Sequence, residues 1–297
     1  MFRLSEYRDL VELDRPFVPA AAPAPPEELP SLTRRALGLL SEGPLPATVD
    51  PRAALRDLLT LRQPSPLPPD AAPVLDALLG GERELRPRVD PKRLPSVAED
   101  FPGTSHAAAA TTALWRGDVT TLAADAVVNA ANSALLGCFL PNHPCIDNAI
   151  HAAAGPHLRA DCAEIVRAQG AAEPTGSAKV TRGYHLPARY VLHTVGPIVH
   201  GEPGDDDAAA LASCYRSCLD LAASLEDVRT VAFCSISTGV FGYPKGAAAR
   251  VALATVAEWF DAHPGRLERV VFDVFTADDL DVYTRAFSED DRDESGT

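Results

Sequence analysis

From Leu114 onward, strand-like and helix-like runs take turns along the chain, and this alternation limits the possible folds more than any other feature. The strand-like runs are LWRGDV, AVVNA, SAKVT, YVLHTV, TVAFCSI and VVFDVF. The helix-like runs are IDNAIHAAAGPHLRADCAEIVRAQG, DDAAALASCYRSCLDLAASL, GAAARVALATVAEWFDAH and DLDVYTRAFSE. The inner strands read as unbroken apolar stretches, as strands covered on both faces do. The order predicts an α/β domain with helices packed over a mixed sheet over residues 106–288.

Residues 1–105 read differently. They hold most of the prolines, as in PAAAPAPPEELP and RQPSPLPPDAAP, and between these lie the short amphipathic patterns LTRRALGLLSEG, DPRAALRDLLTL and PVLDALLGG. Asp50 followed by Pro51 has the form of an N-cap and a proline at the first helical position. Ala54, Leu55, Leu58 and Leu59 fall on one face of such a helix. A small helical extension joined by extended links is expected there; a partly disordered arm is the alternative. Residues 289–297 are expected to be a solvated acidic tail.

Charge and apolar runs narrow the function. A formal net charge of −14 repels phosphate backbones and argues against broad nucleic-acid binding. One nucleotide held by backbone N–H groups is still allowed, because that binding is local. The N-terminus has no apolar core of a secretory signal, and no apolar run approaches the length of a membrane span. A cytoplasmic protein is therefore expected. There the six cysteines are better read as buried, metal-bound or catalytic than as disulfides.

Two of them stand in GCFLPNHPCID. Cys138, His143 and Cys145 fall within eight residues, in a segment stiffened by Pro141 and Pro144. Two thiolates and an imidazole suit zinc. A structural zinc would need a fourth ligand from elsewhere, since His151 falls one and a half turns into the next helix. Three ligands and an open position are the pattern of a metal that meets substrate. Ordinary buried thiols beside a hydrogen-bonded histidine are the third possibility. Cys162, Cys214, Cys218 and Cys234 lie in apolar helix or strand patterns and read as small core residues.

Three further stretches carry a family resemblance: LWRGDVTTLAADAVVNAANSALLG, GSAKVTRGYHLPARYVLHTVGP and SISTGVFGYP. With IDNAIHAAAG they resemble a macrodomain, the ADP-ribose-binding fold, over about residues 112–287. That implies a three-layer α/β/α domain with a mixed central sheet. Macrodomain hydrolases usually carry a glycine run where this chain has GCFLPNHPC. The substitution resembles zinc-containing macrodomains, whose ligands fall on Cys138, His143 and Cys145 and imply one Zn²⁺ per chain.

The resemblance also assigns roles. Asp118, with Val119 beside it, implies a carboxylate for the adenine amino group; on its own residues Asp118 reads equally as a turn cap. Ser237, Thr238, Gly239, Val240 and Phe241 form a small-residue loop between a strand and a helix, which lets N–H groups approach a pyrophosphate; in the family an aromatic at Phe241 packs on the distal ribose. The chain has neither GxxxxGK[ST] nor GxGxxG, which argues against ATPase and dehydrogenase readings. Asn129 and Asn132 offer amides to ribose hydroxyls. The resemblance gives the distal ribose to Asn132 and support of the loop to Asn129. Asp147 is either the N-cap of the following helix or the group that activates water, or both. His151 reads as its structural partner.

The expected activity is zinc-dependent removal of mono-ADP-ribose from modified proteins, through an ester to Asp or Glu. Family relatives imply a sirtuin-like ADP-ribosyltransferase and a lipoyl-carrier protein as partners. A non-catalytic ADP-ribose reader with a structural zinc, and a deacetylase of O-acetyl-ADP-ribose, are the competing expectations.

Overall fold

A computed structural model describes residues 2–41 and 49–288; the expected acidic tail lies outside them. Six strands form one sheet: β1 (Thr112–Arg116), β2 (Ala126–Ala130), β3 (Ala178–Arg182), β4 (Tyr190–Thr194), β5 (Thr230–Phe233) and β6 (Arg269–Val274). Their order is β1-β6-β5-β2-β4-β3. All neighbours are parallel except β3, which runs antiparallel to β4 at one edge.

Side chains along each strand alternate between two buried layers, as a period of two requires. Val127, Val191, Ala232 and Val271 pack with Ile150, Ala154 and Leu158. These come from α6 (Ile146–Ala154) and α7 (Pro156–Gln169). Val128, Leu192, Phe233 and Phe272 face the other way, toward Leu211, Cys218, Val256 and Phe287. Those belong to α8 (Asp205–Ala223), α9 (Lys245–Ala262) and α10 (Ala277–Ser288). Helices on both faces of a mixed sheet give the three-layer α/β/α architecture expected. Cys162, Cys214, Cys218 and Cys234 are all buried in it.

One expectation needs correction. IDNAIHAAAGPHLRADCAEIVRAQG is two helices, not one, because Gly155 (φ 89°) ends α6 and Pro156 starts α7. Only glycine fits there: its φ is positive, and an added Cβ would come within 2.7 Å of Leu79 Cδ1.

The N-terminal residues fold as helices against this body. Of these, α1 (Leu4–Tyr7) and α5 (Val97–Asp100) are short, and α2 (Leu29–Leu40), α3 (Pro51–Leu61) and α4 (Ala71–Leu85) are longer. Asp50 caps α3 as its sequence suggested, accepting from the Arg52 amide at 3.0 Å. Ala36, Leu37, Leu55, Val74, Leu75 and Leu78 give the three longer helices their own small core. Tyr7 is buried, and the Val180 amide of β3 donates to its phenol oxygen at 3.0 Å.

Asp76 of α4 ties this part to the α/β body. It accepts from the Ala20 amide at 2.7 Å, and its other oxygen lies 3.0 Å from His185 Nε2 and 3.6 Å from His157 Nε2. Burial pushes its carboxyl up, but nearby His157 and the hydrogen bonds to His185 and the Ala20 amide outweigh this and hold it well below the usual range. A depressed folded value contributes stability above the unfolded carboxyl value, about 3.9, and loses it as pH falls through the folded one. Amide exchange in α2–α4 is therefore expected to rise as pH drops below about 4, before β2 and β4 lose protection. In Asp76→Asn the faster exchange should already be present at neutral pH; equal exchange in both chains would contradict the assignment.

Candidate active site

The carboxyl ends of β1, β2, β4, β5 and β6 lie at one edge of the sheet. β2 and β5 are neighbours there, yet the chain leaves β2 for α6 on one face and β5 for α9 on the other. Loops that part in this way leave a crevice, where open α/β sheets take their ligands.

On the β5 side runs the loop 235–244. Ser237 is buried with φ 65°, an uncommon conformation for a residue with a side chain, and its Oγ has no partner among the described residues. Thr238 Oγ1 donates to the Ser235 carbonyl at 3.0 Å. Gly242 (φ 71°) closes the loop, with the Val199 amide donating to the Phe241 carbonyl at 2.7 Å. Val240 is 76% exposed, Gly239 is exposed, and Phe241 is half-buried. A Cβ at Gly239 would meet open space, so room for an approaching ligand is on its outer side.

On the β2 side, Asn129 is fully buried, and its amide donates to Asp147 Oδ1 at 2.8 Å and to His193 Nδ1 at 3.2 Å. This is the place of a support, not of a sugar ligand, because both amide hydrogens are engaged inside the protein. Asn132 is half-buried; its amide donates to the Gly137 carbonyl at 3.0 Å and its oxygen accepts from the Ala134 amide at 3.0 Å. Asp147 is 5% exposed. Burial pushes its carboxyl up to about 6, against the Asn129 hydrogen bond and the charge of Arg159. His151 Nε2 lies 3.5 Å from Asp147 Oδ1. The N-cap of α6 is Cys145, whose Sγ accepts from the Asn148 amide at 3.4 Å, so Asp147 sits inside the first turn.

The donor atoms of Cys138, His143 and Cys145 all lie within 4.8 Å of one another, and Cys138 Sγ is 3.4 Å from His143 Nδ1. Tetrahedral zinc would set a sulfur and a nitrogen ligand about 3.6 Å apart, so the spacing fits. All three are half-buried. Burial, then the nearby Cys138 and Asp147, push the Cys145 thiol up to about 11. A thiol held up in this way needs a cation beside it to ionise, and a coordinating thiol is deprotonated outright. The donor set thus fits a zinc ion.

At the far side of the crevice, Asp118 is exposed, and both its contacts with Thr120 fall on Oδ1: the amide at 2.9 Å and Oγ1 at 2.7 Å. It is a cap, and among the described residues no hydrogen bond falls on Oδ2. The Val119 side chain is buried in the core, so only its backbone can meet a ligand. Sequence reasoning missed three residues. Asn148 fastens the loop, its amide donating to the Leu140 and His143 carbonyls at 2.9 and 3.1 Å. Asp273, paired in register with Trp115, is buried with Oδ1 unpartnered among the described residues; burial and the charge of Asp118 push it up to about 8. Its one sequence signal was an aspartate inside the apolar run VVFDVF. Arg159 is the third, and it gave no signal.

Comparison with known proteins follows this geometry. The structure of a Trypanosoma brucei macrodomain in complex with ADP-ribose superposes with a TM-score of 0.59 at 34% identity, covering 77% of this chain and 94% of that one. The chain belongs to the macro domain family. The Macro domain match itself spans residues 128–252 of this macrodomain. A protein-ADP-ribose hydrolase of Treponema medium is 51% identical over 175 residues, 59% of this chain and 66% of that protein. One of Staphylococcus aureus (strain MRSA252) is 51% identical over 178 residues, 60% of this chain and again 66% of that protein. The aligned part is thus just short of two thirds of each relative. Among the described residues no helix is long and apolar enough to cross a membrane.

Proposed function

We propose that this macrodomain binds ADP-ribose and is a zinc-dependent hydrolase releasing mono-ADP-ribose from modified proteins, acting on esters of Asp or Glu. The observation that carries this reading is the convergence of Cys138, His143 and Cys145 within 4.8 Å, two residues from the buried Asp147 and on the same crevice as the 235–244 loop. Relatives at about half identity named as protein-ADP-ribose hydrolases support it.

On this reading Asp118 accepts the adenine amine, and backbone amides of 237–241 meet the diphosphate beside the start of α9. Phe241 and Asn132 hold the distal ribose. The bond broken joins its anomeric carbon to a carboxyl oxygen of the modified residue. That carboxylate leaves with the bonding pair, water supplies the new hydroxyl, and Asp147 takes the spare proton. Cys138, His143 and Cys145 would hold a zinc ion, which when bound would supply Lewis acidity to the site. Asn129 keeps Asp147 in place. A sirtuin-like transferase and a lipoyl carrier are the partners the resemblance puts first for testing.

The test compares metal-loaded and chelator-stripped protein, both checked for folding, on a substrate mono-ADP-ribosylated at Asp or Glu. Release of ADP-ribose by the loaded sample alone is expected. Binding without release in either sample would turn the reading into an ADP-ribose reader. Equal release would leave Asp147 and Asn132 as the machinery and make the metal structural. Release only from O-acetyl-ADP-ribose would move the substrate to small esters.

A further inference from the structure

Arg159 on α7 is 7% exposed, and no carboxylate lies within ion-pair distance of it among the described residues. A buried guanidinium needs other compensation. Its Nη1 donates to the carbonyls of Leu59 at 2.8 Å and Arg62 at 2.6 Å. These belong to the last turn and C-cap of α3, where unpaired carbonyls and the negative end of the helix dipole attract a cation. On its other side the guanidinium lies 4.8 Å from the centre of the Phe139 ring. That is within reach of a cation–π contact, and Phe139 is the residue after the metal ligand Cys138. The guanidinium also passes close beneath Gly137: a Cβ there would come within 3.3 Å of Nη2 and 3.1 Å of the His151 ring. The seam between α3 and α6 holds a small, partly open pocket of about 30 Å³ bordered by Arg52, Thr60, Asn148 and His151. Asn148, which fastens the loop, and His151, which lies under Gly137, thus share this pocket with α3.

We infer that the N-terminal helices are part of the active site's support, and that Arg159 is the positioning residue through which the end of α3 sets the pose of loop 137–145. Among the described residues, no ion pair joins loop 137–145 directly to the extension. Lysine cannot fully replace this arginine, because it has neither the flat face for Phe139 nor a second terminal nitrogen to lie under Gly137 while the first holds the two carbonyls. The inference rests on the metal reading only where metal affinity is measured; the pose of the loop is observable without metal.

The experiment follows hydrogen exchange of the full chain without and with Zn²⁺, in wild type, Arg159→Lys, Phe139→Leu and Arg52→Ala. Arg52 pairs with Glu82, which joins α3 to α4, and it borders the same pocket with no hydrogen bond to the loop among the described residues. Exchange in 137–145 is expected to rise about tenfold in Arg159→Lys and in Phe139→Leu without metal, with β2 and β4 unchanged. Arg52→Ala is expected to loosen the loop in the Arg159 background and to add nothing in Arg159→Lys, the signature of a shared path. In zinc competition with a chromogenic chelator, Arg159→Lys should bind roughly tenfold to a hundredfold more weakly, as for lost outer-shell support. Unchanged loop exchange in Arg159→Lys, or additive effects in the double variant, would overturn the inference. If wild type binds no zinc while the exchange pattern holds, the metal reading fails and the strut stands.

Discussion

Cys138→Ala is expected to lose tight zinc binding and with it at least about a hundredfold in ADP-ribose release, while its affinity for free ADP-ribose changes little. Loss of an outer-shell partner already costs about tenfold to a hundredfold in metal affinity, and a thiolate ligand contributes more than such a partner. Free ADP-ribose should still bind, because Asp118 and the 235–244 loop lie on other strands than β2. The measurement pairs zinc content and release rate with calorimetric titration of ADP-ribose. A variant that keeps its zinc, or one that loses zinc but releases ADP-ribose at the wild-type rate, would sink the catalytic role. Cys145→Ser is a harsher change, because Cys145 also caps α6, so its folding must be verified separately.

Gly242→Val should be the most damaging change in the diphosphate loop. Gly242 has φ 71°, and an added Cβ would stand 2.8 Å from the Val199 carbonyl oxygen. A non-glycine residue in this region costs about 1–2 kcal/mol, and a β-branched one cannot relieve the backbone clash by turning its side chain. The Val199–Phe241 backbone bond would have to stretch, moving the loop whose amides are to meet the diphosphate. Stability should fall by about 2 kcal/mol and ADP-ribose affinity by roughly tenfold or more. Thermal melting and titration of ADP-ribose measure the two separately. Unchanged affinity in a folded variant would mean that the loop does not hold the diphosphate.

The layered fold was legible because strands buried on both faces leave unbroken apolar runs, and because helices leave a different period. The proposed metal ligands were legible for another reason: thiols and imidazole are rare enough that three within eight residues stand out. Asp50 as a cap was readable from Pro51 beside it. What stayed hidden depends on three-dimensional neighbours. Gly155 splits a helix whose apolar period continues on both sides, and only Leu79, far away in sequence, shows why. Asn129 offered an amide that could serve a ribose hydroxyl, while the resemblance gave it support of the loop; only the fold shows that amide turned inward to Asp147. Cys145 rather than Asp147 caps α6, a choice set by the loop's path and not by cap preference. Arg159 reads as an ordinary helical surface residue, since the carbonyls that hold it lie about a hundred positions earlier.

The hydrogen bond from Val180 to Tyr7 has a consequence for how copies of this protein meet one another. β3 is a sheet edge, and an edge strand with a free amide is a template on which a second chain can add a strand. Tyr7 occupies such an amide with a side chain that cannot be extended into a further strand. Loss of the first turn of the chain would therefore leave that amide of the edge strand without its cover. The phenol near the N-terminus thus covers one amide of an edge on which a second strand could otherwise pair, a task separate from the chemistry.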